Sequence, residues 1–332
     1  MQTTQPARRA LNLATRAVLA ATLAAGLCGH AAAQTYPTRP IKIIIPSAAG
    51  GPGDLVVRTV SAKMSALLGQ PIVAENRAGA AGTIGVGAVA KAAPDGYTLL
   101  LVSSTHAATE SLYPNRGYVL TRDLAGVSPL SLTPSVLAVH PSVAANNVQE
   151  FVALAKSQPG KITYASGGVG NIFHLTAELF SRATDVRMTH VPYSQSNVAR
   201  ADLAAGQVQV MFDAISSIQP LTQSGKVRVL ATTGARRSAV MPNVPTVAES
   251  GYPTFQADTW TGILAPAGTP EPVLEKLHAA IQAALQDKDV VAAFAQQGSE
   301  AIVENRAQFG TRVQQSVEQW SRLIREAGIK AE

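Results

Sequence analysis

Two glycine-rich loops constrain the possible fold of this chain more than any other feature, because each follows an apolar strand-like run and begins a helix. The first loop, residues 46–54, reads Pro46-Ser47-Ala48-Ala49-Gly50-Gly51-Pro52-Gly53-Asp54. The second loop, residues 166–171, reads Ser166-Gly167-Gly168-Val169-Gly170-Asn171. Glycine lets the backbone approach a bound group closely, and a helix start offers unpaired N–H groups and the positive end of the helix dipole. Two such loops in separate halves of the chain indicate an acidic ligand held between two lobes.

The N-terminus has the pattern of a secretory signal peptide. Arg8, Arg9 and Arg16 precede a short apolar stretch at residues 17–29, and Ala31-Ala32-Ala33 fits a cleavage site. The apolar stretch is too short to span a bilayer as a helix. A twin-arginine route and a lipid anchor on Cys28 are the less favoured alternatives. We therefore predict a signal peptide over residues 1–33 and a periplasmic mature protein.

Composition excludes several classes of protein. The 27 basic residues less the three leader arginines leave 24 against 21 acidic residues, too even a balance for a nucleic-acid surface. Cys28 is the only cysteine, so the mature chain has no disulfides. The remaining roughly 300 residues suit two lobes better than one.

Short apolar runs alternate with helical patterns along the chain, which is typical of an α/β fold with mostly parallel strands. The predicted strands cover residues 41–45, 72–75, 98–102, 127–132, 136–139, 163–165, 188–191, 208–212 and 227–232. The predicted helices cover residues 54–68, 148–157, 172–182, 197–205 and 215–224, and residues 270–329 form a helix-rich tail.

Several blocks in the same order carry a family resemblance. They are Tyr36-Pro37-Thr38-Arg39-Pro40-Ile41, the Gly50-Gly51 loop ending in Asp54, Glu75-Asn76-Arg77-Ala78-Gly79-Ala80-Ala81-Gly82, Pro94-Asp95-Gly96-Tyr97-Thr98-Leu99, residues 164–180, Val191-Pro192-Tyr193, Gly206-Gln207-Val208, Met211-Phe212-Asp213, Val244-Pro245-Thr246-Val247-Ala248-Glu249 and Leu264-Ala265-Pro266-Ala267-Gly268-Thr269-Pro270. Through these blocks the mature chain resembles the Bug family. Its members are the TctC-like periplasmic substrate-binding proteins of tripartite tricarboxylate transporters.

The resemblance implies a two-lobed periplasmic binding protein, a Venus flytrap of type II-like topology. Each lobe would hold a central, mostly parallel sheet flanked by helices, and two crossover strands would join the lobes. Lobe 1 would comprise residues 36–135 and 259–332, and lobe 2 residues 136–258. A small carboxylated solute would be bound by backbone amides, hydroxyls and waters and passed to membrane subunits similar to TctA and TctB.

The candidate ligand-binding residues come from the two loops and from their neighbours in the family's cleft. Direct donors are expected at the loops themselves, namely Ser47, Ala48, Gly50, Gly51, Ser166, Gly168, Gly170 and Asn171. Asp54 is better suited to accept backbone N–H groups than to meet an anion. Ser104 and Thr105 follow a strand end and are expected to line the cleft.

Three further candidates have two interpretations each. Asp213 either receives a ligand ammonium or hydroxyl group, or caps the helix that begins near Ile215. For His174, a core or capping role is favoured over cleft lining. The family resemblance implies that Tyr193 and the loop after it border the cleft. The next four residues, Ser194-Gln195-Ser196-Asn197, depart from the Lys-Gly pattern of many members, so ligand contacts in this loop are left open.

A binding protein is favoured over an enzyme. Ser166 is not in a G-x-S-x-G elbow because Tyr164 replaces the first glycine. His174 and Glu178 alone fall short of a metal site. We predict no cofactor, no metal and no nucleic-acid partner, and we expect a monomer. The alternatives are an orphan receptor for a sensor kinase and, less favoured, a small-acid hydrolase or isomerase that uses Asp54 or His174. The sequence leaves the ligand open among dicarboxylates, tricarboxylates, aromatic acids and amino acids.

Overall fold

The structure is a computed structural model that describes residues 36–330. The predicted signal peptide at residues 1–33 lies outside the described residues. From Arg39 onward the chain forms one compact unit. Within residues 36–330 no helix combines the length and the apolar character needed to cross a bilayer.

Helices and strands alternate through this unit. The strands are β1 (Ile41–Ile45), β2 (Ile72–Asn76), β3 (Thr98–Ser103), β4 (Leu124–Thr133), β5 (Ser135–Val139), β6 (Thr163–Ser166), β7 (Thr189–Pro192), β8 (Val210–Ala214), β9 (Arg228–Thr232), β10 (Thr259–Pro266) and β11 (Glu300–Ala301). The helices are α1 (Pro52–Leu68), α2 (Thr83–Ala90), α3 (Ser104–Leu112), α4 (Leu120–Asp123), α5 (Val148–Ser157), α6 (Ile172–Thr184), α7 (Ser196–Ala204), α8 (Ile215–Gln223), α9 (Glu271–Leu285), α10 (Lys288–Gln296) and α11 (Arg306–Ala327). A short 3₁₀ turn, Ala80–Gly82, precedes α2.

The strands form two mixed sheets. The first sheet has the order β11-β4-β10-β3-β1-β2, and the second has the order β7-β6-β8-β5-β9. Strands joined through helices pair in parallel, as β1 does with β2 and β3, and as β6 does with β7 and β8. The strands β5 and β10, which follow the passages between the sheets, are antiparallel to their neighbours. These passages are the reason that the sheets are mixed.

The chain passes from the first sheet to the second at Pro134, between β4 and β5, and it returns between β9 and β10. The lobe boundaries at residues 135/136 and 258/259 stay a prediction.

Local sequence accounts for the helices that begin at the two loops. In α1 the buried residues Val56, Val57, Val60 and Met64 recur at helical spacing, and Gly69 ends the helix in the left-handed region at φ +66°. In α6, Asn171 caps the start by accepting the N–H of Phe173.

One apolar cluster joins elements of both sheets. It contains Leu112 of α3, Trp260 of β10 and Trp320 of α11, all attached to the first sheet. It also contains Ile172 and Leu175, which belong to α6 between strands of the second sheet. Leu175 is fully buried. The helix that follows the second loop is therefore packed into the core of the other half.

Candidate functional site

The two glycine-rich loops lie at the sheet edges where the chain passes between the sheets. In the first sheet β1 and β3 are parallel, so the first loop and the start of α3 leave at one edge. Thr261 of β10 pairs with Ser103 at the end of β3, which places Thr259 and the returning chain at that edge. In the second sheet Ser135 pairs with Ala214 at the end of β8, so the outgoing chain enters beside the carboxyl ends of β6 and β8. In open α/β sheets this is the edge at which ligands bind.

The second loop touches the first half of the molecule directly. A Cβ atom built on Gly170 would stand 2.8 Å from Cδ1 of Leu112, at the end of α3. Gly170 has φ +76°, a backbone conformation that favours glycine. The two halves of the molecule therefore meet at Gly170, where only a residue without a side chain fits.

In the first loop, Asp54 shapes the backbone. Its Oδ2 atom accepts the Gly50 N–H at 2.9 Å and Nε of Arg58 at 2.9 Å. The Arg58 hydrogen bond and then the Gly50 N–H lower the pKa of Asp54 to about 2, so the carboxylate stays ionised. Asp54 therefore supports the loop, and the Gly50 N–H has an acceptor within the protein.

The accessible part of the first loop lies nearby. Ser47 and Gly51 are half-buried, whereas Ala48 and Gly50 are exposed. Gly51 is the N-cap of α1 and has no side-chain capping hydrogen bond. Because the first N–H groups of a helix have no acceptor within it, this helix start has main-chain donors to offer an anion.

In the second loop, side chains hold the backbone. The Ser166 hydroxyl, which is buried, accepts the Gly168 N–H at 3.2 Å, and Nδ1 of His174 accepts the Gly170 N–H at 3.0 Å. Asn171 accepts the Phe173 N–H through Oδ1, which leaves its amide NH₂ as a donor at the helix start. Two of the predicted main-chain donors thus have acceptors inside the loop, and the side-chain amide of Asn171 is a neutral donor that the loop retains.

A stack of rings supports this loop from behind. The rings of His174 and His190 lie 4.0 Å apart between centroids at 5°, and Tyr164 stacks on His190 at 4.8 Å. Nε2 of His190 lies 2.7 Å from Oγ of Ser166, and the Tyr164 hydroxyl donates to Glu178. Burial lowers the pKa of both histidines to about 4, and for His190 repulsion from His174 adds to this shift while Glu178 opposes it. Both are neutral at pH 7, which lets Nδ1 of His174 act as an acceptor.

Replacing His174 with leucine is expected to lower the free energy of unfolding by about 2 kcal/mol, because the Gly170 N–H loses its acceptor. His174→Asn is expected to lose less than half as much, since its Oδ1 can take the place of Nδ1, although asparagine fills the site less well. Urea denaturation measures the stability, and hydrogen exchange of the Gly170 amide reports the bond itself. Equal losses in the two variants would show that the ring, not the acceptor, matters.

The start of α3 repeats this arrangement in the first half of the molecule. Nδ1 of His106 accepts the Ser103 N–H at 3.0 Å, and burial lowers the pKa of His106 to about 4. His106 and His174 are both the third residue of their helices. Ser104 is fully buried, whereas Thr105 is partly exposed. Thr105 is therefore the more accessible of the two predicted hydroxyls.

Asp213 and Tyr193 are engaged by other side chains. Oδ2 of Asp213 accepts NH1 of Arg200 at 2.8 Å, and Oδ1 accepts the Ala214 N–H. Burial raises the pKa of Asp213, while Arg200 opposes that shift. The Tyr193 hydroxyl donates to Asp202 at 2.7 Å, and its backbone N–H donates to Ser166. Sequence reasoning missed Arg200 and His190, because nothing in their local sequence distinguishes them from surface and core residues.

The arrangement suits an anion more than a metal ion. Among residues 36–330 no group of three or more histidine, cysteine, aspartate or glutamate side chains is placed to hold a metal. The starts of α1, α3 and α6 bring N–H groups and positive dipole ends to the passage edge of both sheets, so the chemistry on offer is hydrogen-bond donation to a negatively charged group.

Comparison with known proteins places this geometry in a family. The family model of the tripartite tricarboxylate transporter family receptor, TctC, matches residues 56–329. Protein BugT of Bordetella pertussis is 38% identical over 308 residues, which cover 92% of this chain and 94% of that protein.

Solved structures agree with this match. The periplasmic binding protein BugD is 35% identical with a TM-score of 0.71, covering 90% of this chain and 100% of that one. MatC from Rhodopseudomonas palustris with bound malate is 34% identical with a TM-score of 0.71, covering 87% and 100%. These likenesses confirm the predicted two-lobed α/β fold class and the predicted family. Members of the family are periplasmic solute-binding proteins, so the prediction of a binding protein instead of an enzyme is also confirmed. The chain belongs to the family of TctC-type receptors of tripartite tricarboxylate transporters.

Proposed function

We infer that this chain is a periplasmic solute-binding protein that captures a small carboxylated metabolite between its two lobes. It would then deliver the solute to transporter subunits of the TctA and TctB type in the membrane. The observation that carries this proposal is the contact of Gly170 with Leu112, which brings the start of α6 from one half against α3 of the other. Leu112 is the last residue of α3, so this contact joins the two halves, and the strand register places both loops at the edges where the chain passes between the sheets. The malate bound to the relative MatC supports a carboxylate as the ligand.

The lobes of this proposal are those predicted from the sequence, residues 36–135 with 259–332 and residues 136–258. The predicted signal peptide, together with the periplasmic location of the family, supports export. We expect the mature protein to act as a monomer.

The proposed site uses the predicted residues in two roles. Residues with an accessible donor would contact the carboxylate: Ser47, Ala48, Thr105 and Asn171. The N–H of Gly51 donates to the Ala48 carbonyl oxygen, so Gly51 would help to hold the first loop in shape. Residues whose groups are engaged within the protein would hold the loops in shape: Gly50, Asp54, Ser166, Gly168, Gly170, His174, Tyr193 and Asp213. Ser104 is buried and would support the start of α3.

Isothermal titration of the mature protein tests the proposal with a panel of dicarboxylates, tricarboxylates, aromatic acids and amino acids. We expect at least one acid to bind at a single site with a dissociation constant that is roughly micromolar or tighter. The diamide of that acid is the matched control, because it keeps the shape but lacks the charge, and it is expected to bind at least tenfold more weakly. Silence across the panel, or equal affinity for the diamide, would contradict a carboxylate receptor.

A further inference from the structure

Arg200 and Asp213 form an ion pair beside the second loop. NH1 of Arg200 lies 2.8 Å from Oδ2 of Asp213, which is 1% exposed. The Arg200 side chain is 24% exposed, so part of the guanidinium group faces solvent. A carboxylate that is buried on one side of an arginine fixes the guanidinium in position, since leaving either charge unpaired would be costly.

The register of the strands shows how near this ion pair lies to the carboxyl edge of the second sheet. Ala165 of β6 pairs with Met211 of β8, so Asp213 stands two residues further toward the carboxyl edge, level with Gly167 of the second loop. Arg200 reaches this level from α7, one turn beyond Ser196.

The start of α7 meets the same loop. A Cβ atom built on Gly167 would collide with Oγ of Ser196 and stand 3.4 Å from the side-chain amide of Asn171. Because residues four apart share one face of a helix, Arg200 lies on the face of α7 that Ser196 turns toward Gly167. The guanidinium group, which is hydrogen-bonded to Asp213 at the level of Gly167, therefore lies on the side of α7 nearest the second loop.

The guanidinium retains most of its hydrogen-bonding capacity. An arginine has five N–H donors in a planar fork, and within residues 36–330 the Arg200 guanidinium makes one hydrogen bond, to Asp213. The fork matches the two oxygens of a carboxylate, and arginine stays charged at every physiological pH. Asp213 thus holds a permanent cation at the edge of a site whose other donors are neutral.

We propose that Arg200 receives the second carboxylate of a dicarboxylate ligand, whose first carboxylate is held by the loop donors. Arg200 would then be the residue that selects dicarboxylates over monocarboxylates. This inference rests on the proposed function and narrows the class of its ligand. Asp213 is a positioning residue in this scheme and does not touch the ligand.

Titration calorimetry with the series from malonate to adipate, and with the monocarboxylate of equal carbon number for each, tests this role. The wild-type protein is expected to bind its best dicarboxylate at least tenfold more tightly than the matching monocarboxylate. Arg200→Gln is expected to weaken dicarboxylate binding about 10- to 100-fold and to change monocarboxylate binding less than about threefold. Arg122→Gln, which removes another paired arginine just before the start of β4, the end of that strand away from the passage, is the control and is expected to change neither.

Asp213→Asn is expected to shift dicarboxylate affinity in the direction opposite to Arg200→Gln. The amide oxygen of the asparagine can still accept from Arg200 and hold the guanidinium in position, while the competing negative charge is gone, so dicarboxylate affinity is expected to stay equal or rise and to fall more steeply with salt. If Arg200→Gln does not fold, the double variant Arg200→Gln/Asp213→Asn removes both charges and carries the same expectation as Arg200→Gln.

The outcomes separate the two proposals. Equal loss of both ligand types in the Arg200 variants, or loss of dicarboxylate binding in Asp213→Asn, would overturn the role of Arg200 and make the pair structural. A wild-type protein that binds monocarboxylates as tightly as dicarboxylates would also overturn it, while leaving carboxylate capture intact. Failure of every acid to bind the wild-type protein would overturn the proposed function itself.

Discussion

Asn171→Asp is expected to weaken carboxylate binding about 100-fold while leaving the stability of the protein unchanged. The helix cap survives, because an aspartate Oδ1 accepts the Phe173 N–H as asparagine does, and a negative charge suits a helix start. The amide donor, however, becomes a carboxylate, which would face the bound acid in the proposed site. Like charges about 5 Å apart repel by about 3 kcal/mol at the effective permittivity of a protein surface. Calorimetry with the best-binding acid of the panel measures the loss, and thermal unfolding without ligand checks the stability.

Asn305→Asp is the matched control for this change. Asn305 caps α11 in the same way, by accepting the Gln308 N–H, and it is exposed on a helix that begins after β11. The same substitution there is expected to leave binding unaltered. If Asn171→Asp bound the acid as well as the wild-type protein does, the start of α6 would not belong to the site.

Gly262→Ala is expected to destabilise the protein by about 3 kcal/mol or more, the upper part of the range for overpacking a core. Gly262 lies within β10, between β3 and β4 in the first sheet. An added Cβ would overlap the ring of Phe309, with Cε2 at 2.7 Å, and would stand 2.9 Å from the Ser128 carbonyl oxygen. Phe309 is fully buried and packs edge-on against Trp260, so its ring has no room to retreat.

Gly310→Ala is the same substitution at a site where we expect it to raise the free energy of unfolding instead of lowering it. Gly310 is exposed within α11, and an added Cβ would have no neighbour within 4 Å. Alanine at such a position is expected to stabilise the helix by up to about 1 kcal/mol. Urea denaturation of both variants measures the two effects. A Gly262→Ala protein as stable as the wild type would mean that the contact between β10 and α11 is looser than the structure has it.

Local sequence signals predicted the elements that carry them. The strand at residues 41–45 and the helix at residues 148–157 have the predicted bounds, because an unbroken apolar run defines the first and a capping asparagine defines the second. The helix predicted at residues 54–68 begins two residues earlier, at Pro52, since proline is well tolerated in the first turn.

The sequence did not reveal two helices that depend on tertiary packing. The helix Thr83–Ala90 contains two glycines, which disfavour a helix, yet Val86 and Val89 are fully buried in it. The helix Ser104–Leu112 starts directly after a strand, and no turn residues between them mark the boundary in the sequence. Its packing against the long C-terminal helix, more than 190 residues later in the chain, holds it in place.

The candidate site was predictable only in part, for a similar reason. The glycine loops are continuous in sequence and can be found there. The groups that hold them are distant in sequence: His190 lies 24 residues from Ser166, and Arg200 lies 13 residues from Asp213. One sequence also cannot say which main-chain N–H groups already have acceptors, as those of Gly168 and Gly170 do.

The burial of α6 in the other half of the molecule bears on how a solute enters and leaves. Any rotation that drew this helix away from α3 and α11 would expose Ile172 and Leu175 to water, at about 1.5–3 kcal/mol for each side chain. The loss of this apolar contact therefore opposes the separation of α6 from α3 and α11. A solute that binds between the halves would then not have to supply the whole free energy of bringing them together.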